Sequence, residues 1–254
     1  MNQSESKLKS STPEDPVPAV NVFRRCPWTI GLLVVYLIVF VGKLVAVDVY
    51  HQGEFVLNYL TLSRWGMAHH YYWQLLTYQF LHGGWLHLFF NGWVIFIFGR
   101  ELEQLIGWRR LLSVMLFSGI VGGVFQVLTA ILWPGLFDGP VVGASACAFG
   151  LVATFAVIFP EDEFTLLILF LIRVRVRAQT LLALFIVIAV MGIIFPVNHL
   201  ANAAHLGGMA MGWLYGKGVL RQRALSGLAE HEYGAAGSIA AARESEPGDA
   251  RKSV

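Results

Sequence analysis

Residues 141–150 read V-V-G-A-S-A-C-A-F-G and open a stretch without charged side chains that lasts from Val141 to Pro160. A run of about 20 apolar residues is the length that an α-helix needs to cross the hydrocarbon core of a bilayer. One hydroxyl, that of Ser145, lies near the start of this run among small residues, where other backbone can approach it closely. A lone serine in such a helix is usually a packing residue, so its meaning depends on the rest of the chain.

The composition is typical of a polytopic membrane protein. Of the 254 residues, 56% are hydrophobic and 13% are charged, and the mean hydropathy is +0.62. This is too apolar for a soluble domain. The net charge of +2 is uninformative about partners, and no nucleic acid binding is predicted. The two cysteines, Cys26 and Cys147, have neither metal-binding nor redox spacing.

Six apolar runs predict an all-α bundle of six membrane-spanning helices. The predicted spans are Trp28–Val47, Gly84–Gly99, Leu111–Trp133, Val141–Pro160, Ala178–Phe195 and Leu200–Gly216. The aromatic-rich connection 48–80 is predicted to lie in the outer leaflet, and the short apolar run 164–172 at the interface. The polar ends, residues 1–22 and 218–254, are predicted to be disordered tails around a membrane domain of residues 23–217.

The basic side chains predict the orientation of the bundle, because cytoplasmic loops are enriched in arginine and lysine. With the N-terminus inside, Arg64 is the one basic residue that is clearly external. The basic residues then on the cytoplasmic side are Arg24, Arg25, Arg100, Arg109, Arg110, Arg173, Arg175, Arg177, Lys217, Arg221 and Arg223. We therefore predict that both termini are cytoplasmic.

This orientation brings rare polar side chains to one depth. Spans two, four and six all run from outside to inside, and each carries polar groups near its outer end: His82, His87, Asn91, Ser145 and His205. At a rise of 1.5 Å per residue, the serine and the last histidine lie roughly 6 to 8 Å below the outer surface. Several intramembrane polar groups that converge in this way indicate a functional site.

The helix faces are consistent with a site between spans four and six. One stripe of span six contains His205 and three glycines that we call the glycine face: Gly208, Gly212 and Gly216. Glycines at this spacing let a neighbouring helix approach closely, and the predicted partners are Gly143 and Gly150 of span four. His205 would then meet Ser145, with the ring of Phe149, one turn further on, as its support.

These residue types fit acyl transfer. A serine hydroxyl becomes a nucleophile when a base takes its proton, and histidine titrates near neutral pH. The tetrahedral oxyanion needs donors, which Asn91, His87 and the backbone N–H of Ser145 can supply. Spans two, four and six have no Asp or Glu at this depth, so the prediction is a Ser145–His205 dyad without an orienting carboxylate. His82 is rotated away from His87, which favours a structural role.

Together these motifs resemble the rhomboid intramembrane serine proteases, over roughly residues 25 to 217. The motifs that carry the resemblance are G-A-S-A at 143–146, A-H-L-G-G at 204–208, the H-x-x-x-x-H-x-x-x-N pattern from His82 to Asn91, and the G-x-x-x-E pair of Gly99 and Glu103. Three positions depart from the family pattern. Gln74 follows Trp73 where the family often has arginine, Ala146 follows the serine in place of glycine, and Phe149 replaces tyrosine.

The resemblance implies a six-helix serine endopeptidase that cleaves other membrane proteins in or beside a transmembrane segment. It implies the lipid bilayer as surroundings, no metal or organic cofactor, and a site open to the outer face, in a bacterial-type plasma membrane. Alternatives are a catalytically inactive relative that binds membrane proteins and a metal-dependent hydrolase using His82, His87 and His205. A transporter is a further alternative, although no inverted repeat is visible.

Overall fold

A computed structural model describes residues 26–168, 172–196 and 201–222. Its long helices, numbered in chain order, are α1 (Pro27–Leu44), α2 (Trp85–Ile106), α3 (Trp108–Leu132), α4 (Ser145–Ile158), α5 (Ala178–Ile194) and α6 (202–222). One helix therefore corresponds to each apolar run predicted from the sequence. The last helix continues to residue 222, beyond the predicted domain end at 217. The tail 1–22, predicted to be disordered, lies outside the described residues, and so does the part 223–254 of the predicted tail 218–254.

The helices differ in whether they alone could cross a bilayer. Among the described residues, two are long and apolar enough: Pro27–Val49, which is α1 with its π-helical continuation, and α3. A third candidate is the bent pair of Gln74–Phe80 and α2, whose axes differ by 97°. Helices α4 and α5 are apolar but shorter, with 14 and 17 residues. The fold is thus a mostly helical membrane bundle, and six complete spans remain a prediction.

Helix α4 lies at the centre of the bundle. Most of its side chains are buried, and they pack among α2, α3, α5 and α6. The predicted start at Val141 is wrong, because the helix begins at Ser145. The residues before it are extended: Val141 pairs with Leu62 of the first loop, and the Gly143 N–H donates to the Tyr78 carbonyl at 2.9 Å. The serine consequently occupies the first turn of α4.

The long connection between α1 and α2, which we call the first loop (residues 50–84), is folded back on itself. Its short helices are Gly53–Phe55, Val56–Leu60, Arg64–Ala68, Gln74–Thr77 and Tyr78–Phe80. The rings of Tyr59, Tyr71 and Trp73 stack in a row at centroid distances of 5.2 and 4.7 Å. Such amphipathic rings favour the headgroup region, in keeping with the predicted interfacial position.

A β-hairpin separates α4 from α5. Strand β1 (Glu163–Ile168) pairs antiparallel with β2 (Ile172–Arg177), with Glu163 opposite Arg177. The all-α prediction is therefore incomplete, because the predicted apolar interfacial run 164–172 contributes to two paired strands. A strand signal is nevertheless present in the sequence, in the period-two alternation of Arg173, Val174, Arg175, Val176 and Arg177.

Candidate active site

The hydroxyl of Ser145 and the imidazole of His205 lie side by side between α4 and α6. Ser145 Oγ is 2.8 Å from His205 Nε2, and both side chains are partly buried. The two residues are 60 positions apart, so only the packing of the helices brings them together. A hydroxyl and an imidazole nitrogen at this distance can exchange a proton directly.

Aromatic rings hold the imidazole in place. The ring of Phe149 lies one turn after Ser145, with its centroid 4.6 Å from that of His205. Behind it, Phe185 of α5 meets the Phe149 ring edge to face at 5.0 Å. The sequence indicated Phe149 but not Phe185, because no local pattern of α5 shows which face it turns to α4. The packed rings limit the orientations that the imidazole can adopt.

His87 and Asn91 of α2 lie over the backbone that precedes the serine. A Cβ atom placed on Gly143 would be 2.7 Å from His87 Nε2 and 3.4 Å from Asn91 Nδ2. Gly143 has φ +128°, a conformation that side-chain-bearing residues rarely adopt. Glycine is therefore required here both by the backbone angle and by the proximity of the two polar side chains.

The polar atoms of this group are placed to donate. The His87 Nδ1 atom accepts from the Gly83 N–H at 3.4 Å, so in the neutral ring the proton is on Nε2, which faces Gly143. Asn91 is buried, and its Nδ2 has no hydrogen-bond partner among the described residues. The N–H of Ser145 is in the first turn of α4, where amides have no intrahelical acceptor. The polar nitrogens of His87 and Asn91 therefore lie close to Gly143, two residues before the serine and its N–H.

His82 lies behind this group. Its side chain is buried, and its ring contacts those of Tyr36 and His87 at 5.6 and 5.2 Å. Neither ring nitrogen has a hydrogen-bond partner among the described residues, while its carbonyl accepts from Lys43 Nζ at 3.0 Å. His82 thus touches His87, and its ring is not in contact with the serine–histidine pair.

The glycine face of α6 packs directly on the backbone of α4. A Cβ on Gly208 would collide with the Ala146 carbonyl, and one on Gly212 with the Gly150 carbonyl. The Thr154 hydroxyl also donates to the Gly212 carbonyl at 2.9 Å across the helix pair. Of the two predicted partners of the glycine face, Gly150 lies opposite it. Gly143 does not, because Ala146 takes that place.

Gly99 and Glu103 lie at the other end of α2. The Glu103 carboxylate accepts from the N–H of Thr29 at 2.7 Å, from its hydroxyl at 2.6 Å and from the Trp28 N–H at 3.0 Å. A Cβ on Gly99 would be 3.1 Å from the Thr29 side chain. Glu103 therefore caps the start of α1 and joins α1 to α2, which is a structural role.

A mostly helical, apolar bundle with two or three candidate spans among the described residues places the protein in the class of integral membrane proteins. The Rhomboid domain family model matches residues 69–222, and the chain belongs to the rhomboid family. The predicted resemblance is thereby confirmed. Members of this family are integral membrane proteins, and family membership supports intramembrane proteolysis in general.

Several curated relatives match part of the chain. The putative rhomboid protease YdcA of Bacillus subtilis is 39% identical over 99 residues, which are 38% of this chain and 47% of that protein. The mitochondrial rhomboid protein 1 of Saccharomyces cerevisiae is 30% identical over 148 residues, 57% and 42% of the two chains. The rhomboid-type serine protease 2 of Emericella nidulans is 32% identical over 177 residues, 66% and 32%. The chain thus spans less than half the length of these relatives, of which the first is bacterial and the second is named as mitochondrial.

Proposed function

We propose that this chain is an intramembrane serine endopeptidase that hydrolyses peptide bonds in or near the transmembrane segments of other membrane proteins. The observation that carries the proposal is the 2.8 Å separation of Ser145 Oγ and His205 Nε2 in a member of the rhomboid family. The substrate partners are transmembrane proteins presented by the lipid bilayer, and the reaction needs no cofactor.

The reaction proceeds in two acyl-transfer steps. Ser145 Oγ attacks the scissile carbonyl carbon while His205 Nε2 accepts the hydroxyl proton, and the carbonyl oxygen becomes an oxyanion. The imidazolium then gives that proton to the leaving amine, the C–N bond breaks, and an acyl-serine remains. Water, deprotonated by the same nitrogen, attacks the ester, and the serine is released with its proton restored.

The oxyanion is stabilised by donors that are fixed before the reaction begins. In this proposal they are Asn91 Nδ2, the protonated Nε2 of His87 and the N–H of Ser145. Donors aimed at the developing charge in a site shielded from water contribute more than they would in solution. Asn91 is the principal donor, because its amide nitrogen is buried and without a described partner.

His205 works without an orienting carboxylate. Its ring is positioned instead by Phe149, which Phe185 supports from α5. In a Ser-His-Asp triad the aspartate orients the imidazole, and here the packed rings orient it instead. Phe149 lacks the hydroxyl of the tyrosine that the family often has there, and the packing between the two rings does not require it.

The proposal includes the arrangement in the membrane. We infer six spans with both termini in the cytoplasm, a site open to the outer face, and a bacterial-type plasma membrane, on the distribution of arginines and the six apolar helices. In a variant with Cys26 and Cys147 replaced by alanine, single cysteines at 51 and 139 should react with an impermeant maleimide in intact cells. Cysteines at 104 and 225 should react only after permeabilisation. The opposite pattern would overturn the orientation.

The decisive experiment is labelling of the purified protein by a fluorophosphonate probe, with a transmembrane reporter cleaved in parallel. Ser145→Ala and His205→Ala should each abolish labelling and cleavage, and the double variant should be no worse than either, because residues that act as a unit are not additive. Ser113→Ala, which removes an exposed hydroxyl bonded to the Arg109 carbonyl, is the matched control and should retain both activities.

The same experiment separates the alternatives. A wild-type protein that neither reacts with the probe nor cleaves any reporter would be a non-catalytic relative that binds membrane proteins. Cleavage that survives Ser145→Ala and is lost with a chelator would indicate the metal-dependent hydrolase. That reading has less support, because the described residues contain no group of three or more His, Cys, Asp or Glu side chains placed to hold a metal ion.

A further inference from the structure

The segment that leads into Ser145 is attached to the first loop at three successive points. The Asp138 carboxylate accepts two bonds from Arg64, at 2.6 Å from Nε and 2.8 Å from Nη2. Val141 exchanges two backbone hydrogen bonds with Leu62, at 2.8 and 3.1 Å. The third attachment is the bond from the Gly143 N–H to the Tyr78 carbonyl described above. We call residues 138–143 the lead segment.

The lead segment determines the geometry of the proposed oxyanion site. It ends two residues before the serine, and its last residue, Gly143, is the backbone on which His87 and Asn91 lie. A shift of this backbone would move the two side chains relative to the N–H of Ser145. Displacements of about 1 Å in reacting groups can cost up to ~10²-fold in rate. The attachments of the lead segment are therefore placed to affect turnover.

Arg64 is itself held firmly. It is the first residue of the helix Arg64–Ala68, whose preceding residue Ser63 accepts from the Gly66 N–H at 3.0 Å. The Ser63 N–H donates to Oε1 of Gln74, a fully buried side chain that fills the space beside Gly66. The arginine thus extends from a rigid turn, and its fork meets the carboxylate in a bidentate geometry.

We propose that Arg64 and Asp138 form a clasp whose role is to position the lead segment for catalysis, which makes both of them positioning residues. The inference rests on the proposed function for its effect on turnover. Bonding to the Arg64 guanidinium lowers the pKa of the Asp138 carboxyl below its ordinary value, so the carboxylate is charged at neutral pH. Exposed ion pairs contribute little to global stability, so the clasp is expected to act on turnover and local motion.

The experiment compares Arg64→Ala, Asp138→Ala, the double variant and the exchanged pair Arg64→Asp/Asp138→Arg in the full-length protein in one detergent. Arg100→Ala is the control, because the Arg100–Glu101 pair has side-chain exposures of 40% and 46% against 43% for each clasp residue. Five quantities are measured: kcat and KM on a transmembrane reporter, the fluorophosphonate labelling rate, amide hydrogen exchange over residues 138–146, and Tm.

We expect each single variant to lower kcat and the labelling rate by about 5- to 10-fold, which is less than the ~10²-fold loss that a fully misplaced group can cause. KM should stay within about twofold of the wild-type value. Exchange over 138–146 should become faster, Tm should change by less than about 2 °C, and the double variant should be no worse than either single. The exchanged pair should recover most of the lost rate. Arg100→Ala should match the wild type in all five quantities.

Unchanged exchange and kcat in both single variants would overturn the clasp, as would additive losses in the double variant. A fall in Tm that accounts for the lost activity would also overturn it, because the pair would then be a stability element. The exchange measurement needs no activity, so it tests the clasp even if the wild type fails to react with the probe. That failure would count against the proposed function alone.

Discussion

The two contacts that build the site differ in kind. The contact between α4 and α6 is buried and is made by backbone against backbone, where glycines leave room for the carbonyls of Ala146 and Gly150. The contact between the first loop and the lead segment is exposed, and side-chain and backbone hydrogen bonds make it. In the proposed mechanism, the first contact sets the distance from serine to histidine, and the second sets the positions of the proposed oxyanion donors. We infer that the first tolerates almost no change and that the second can be weakened by degrees.

The strongest way to break the buried contact is Gly212→Val. The added Cβ would collide with the Gly150 carbonyl, and helices that cannot approach would separate Ser145 from His205 without alteration of either. We expect at least about 10²-fold loss of turnover, measured as kcat on a transmembrane reporter. Val187→Leu on α5, an exposed position, should be close to neutral.

A milder variant, Gly216→Ala, tests the same helix contact in case the Gly212→Val protein fails to fold. In Gly216→Ala the new Cβ would lie 2.9 Å from the Val157 side chain and 3.1 Å from the Thr154 carbonyl, further from the dyad. It should insert normally and lose less activity than Gly212→Val. Full activity in a well-inserted Gly212→Val protein would show that the glycine face does not position His205.

Asn91→Ala tests the donor side of the comparison. If Asn91 is the principal oxyanion donor, its removal should lower kcat by about 10²-fold with little change in KM, because the donor acts mainly in the transition state. His87→Ala should lower kcat less, since the Ser145 N–H and Asn91 remain. A rise in KM at unchanged kcat for Asn91→Ala would identify it as a docking or packing group.

The sequence predicted the elements of the fold better than their contacts. The six apolar runs and the motif spacing placed α1 to α6, because bilayer length and helix periodicity are local properties of the chain. The start of α4 at Ser145 could not be predicted, since it depends on the pairing of Val141 with Leu62, a contact between distant residues. The β-hairpin could have been predicted in part: the alternation of arginine and valine at 173–177 is typical of a strand, whereas the apolar run 164–172 alone does not distinguish a strand from a helix.

In the candidate site too, the features set by helix geometry could be predicted and the contacts between distant residues could not. The alignment of Ser145, Phe149 and the glycine face follows from helix geometry and could be predicted, as could the shared face of His87 and Asn91. The positions of Phe185 and Asp138 could not, since helix rotation and loop packing are set by tertiary contacts. The wrong prediction that Gly143 packs against the glycine face has the same origin. Gly143 has φ +128°, and its Cβ position faces His87 and Asn91 of α2.

The smallest effect on activity is expected from Gln74, which supports the clasp from inside the first loop. Its side chain is fully buried, accepts from the Ser63 N–H at 3.2 Å and donates to the Asn58 carbonyl at 2.8 Å. Gln74→Met keeps the length of the side chain but leaves both backbone groups without a partner. Both hydrogen bonds are partly buried, and the loss of such a bond costs about 0.5–1.5 kcal/mol, so Tm should fall by a few degrees.

At a temperature well below that Tm, the Gln74→Met protein should keep kcat within about threefold of the wild type, because the backbone bonds of Leu62 and Tyr78 still attach the lead segment. Thr129→Ala, which removes a hydroxyl that bonds only within its own helix, is the control for a lost side-chain hydrogen bond and should change neither quantity appreciably. A loss of kcat as large as that of Arg64→Ala, without a lower Tm, would contradict the expectation that Gln74 acts on stability and the clasp acts on turnover. It would mean that the first loop positions the donors through its buried hydrogen bonds, and that the exposed contact is as intolerant of change as the buried one.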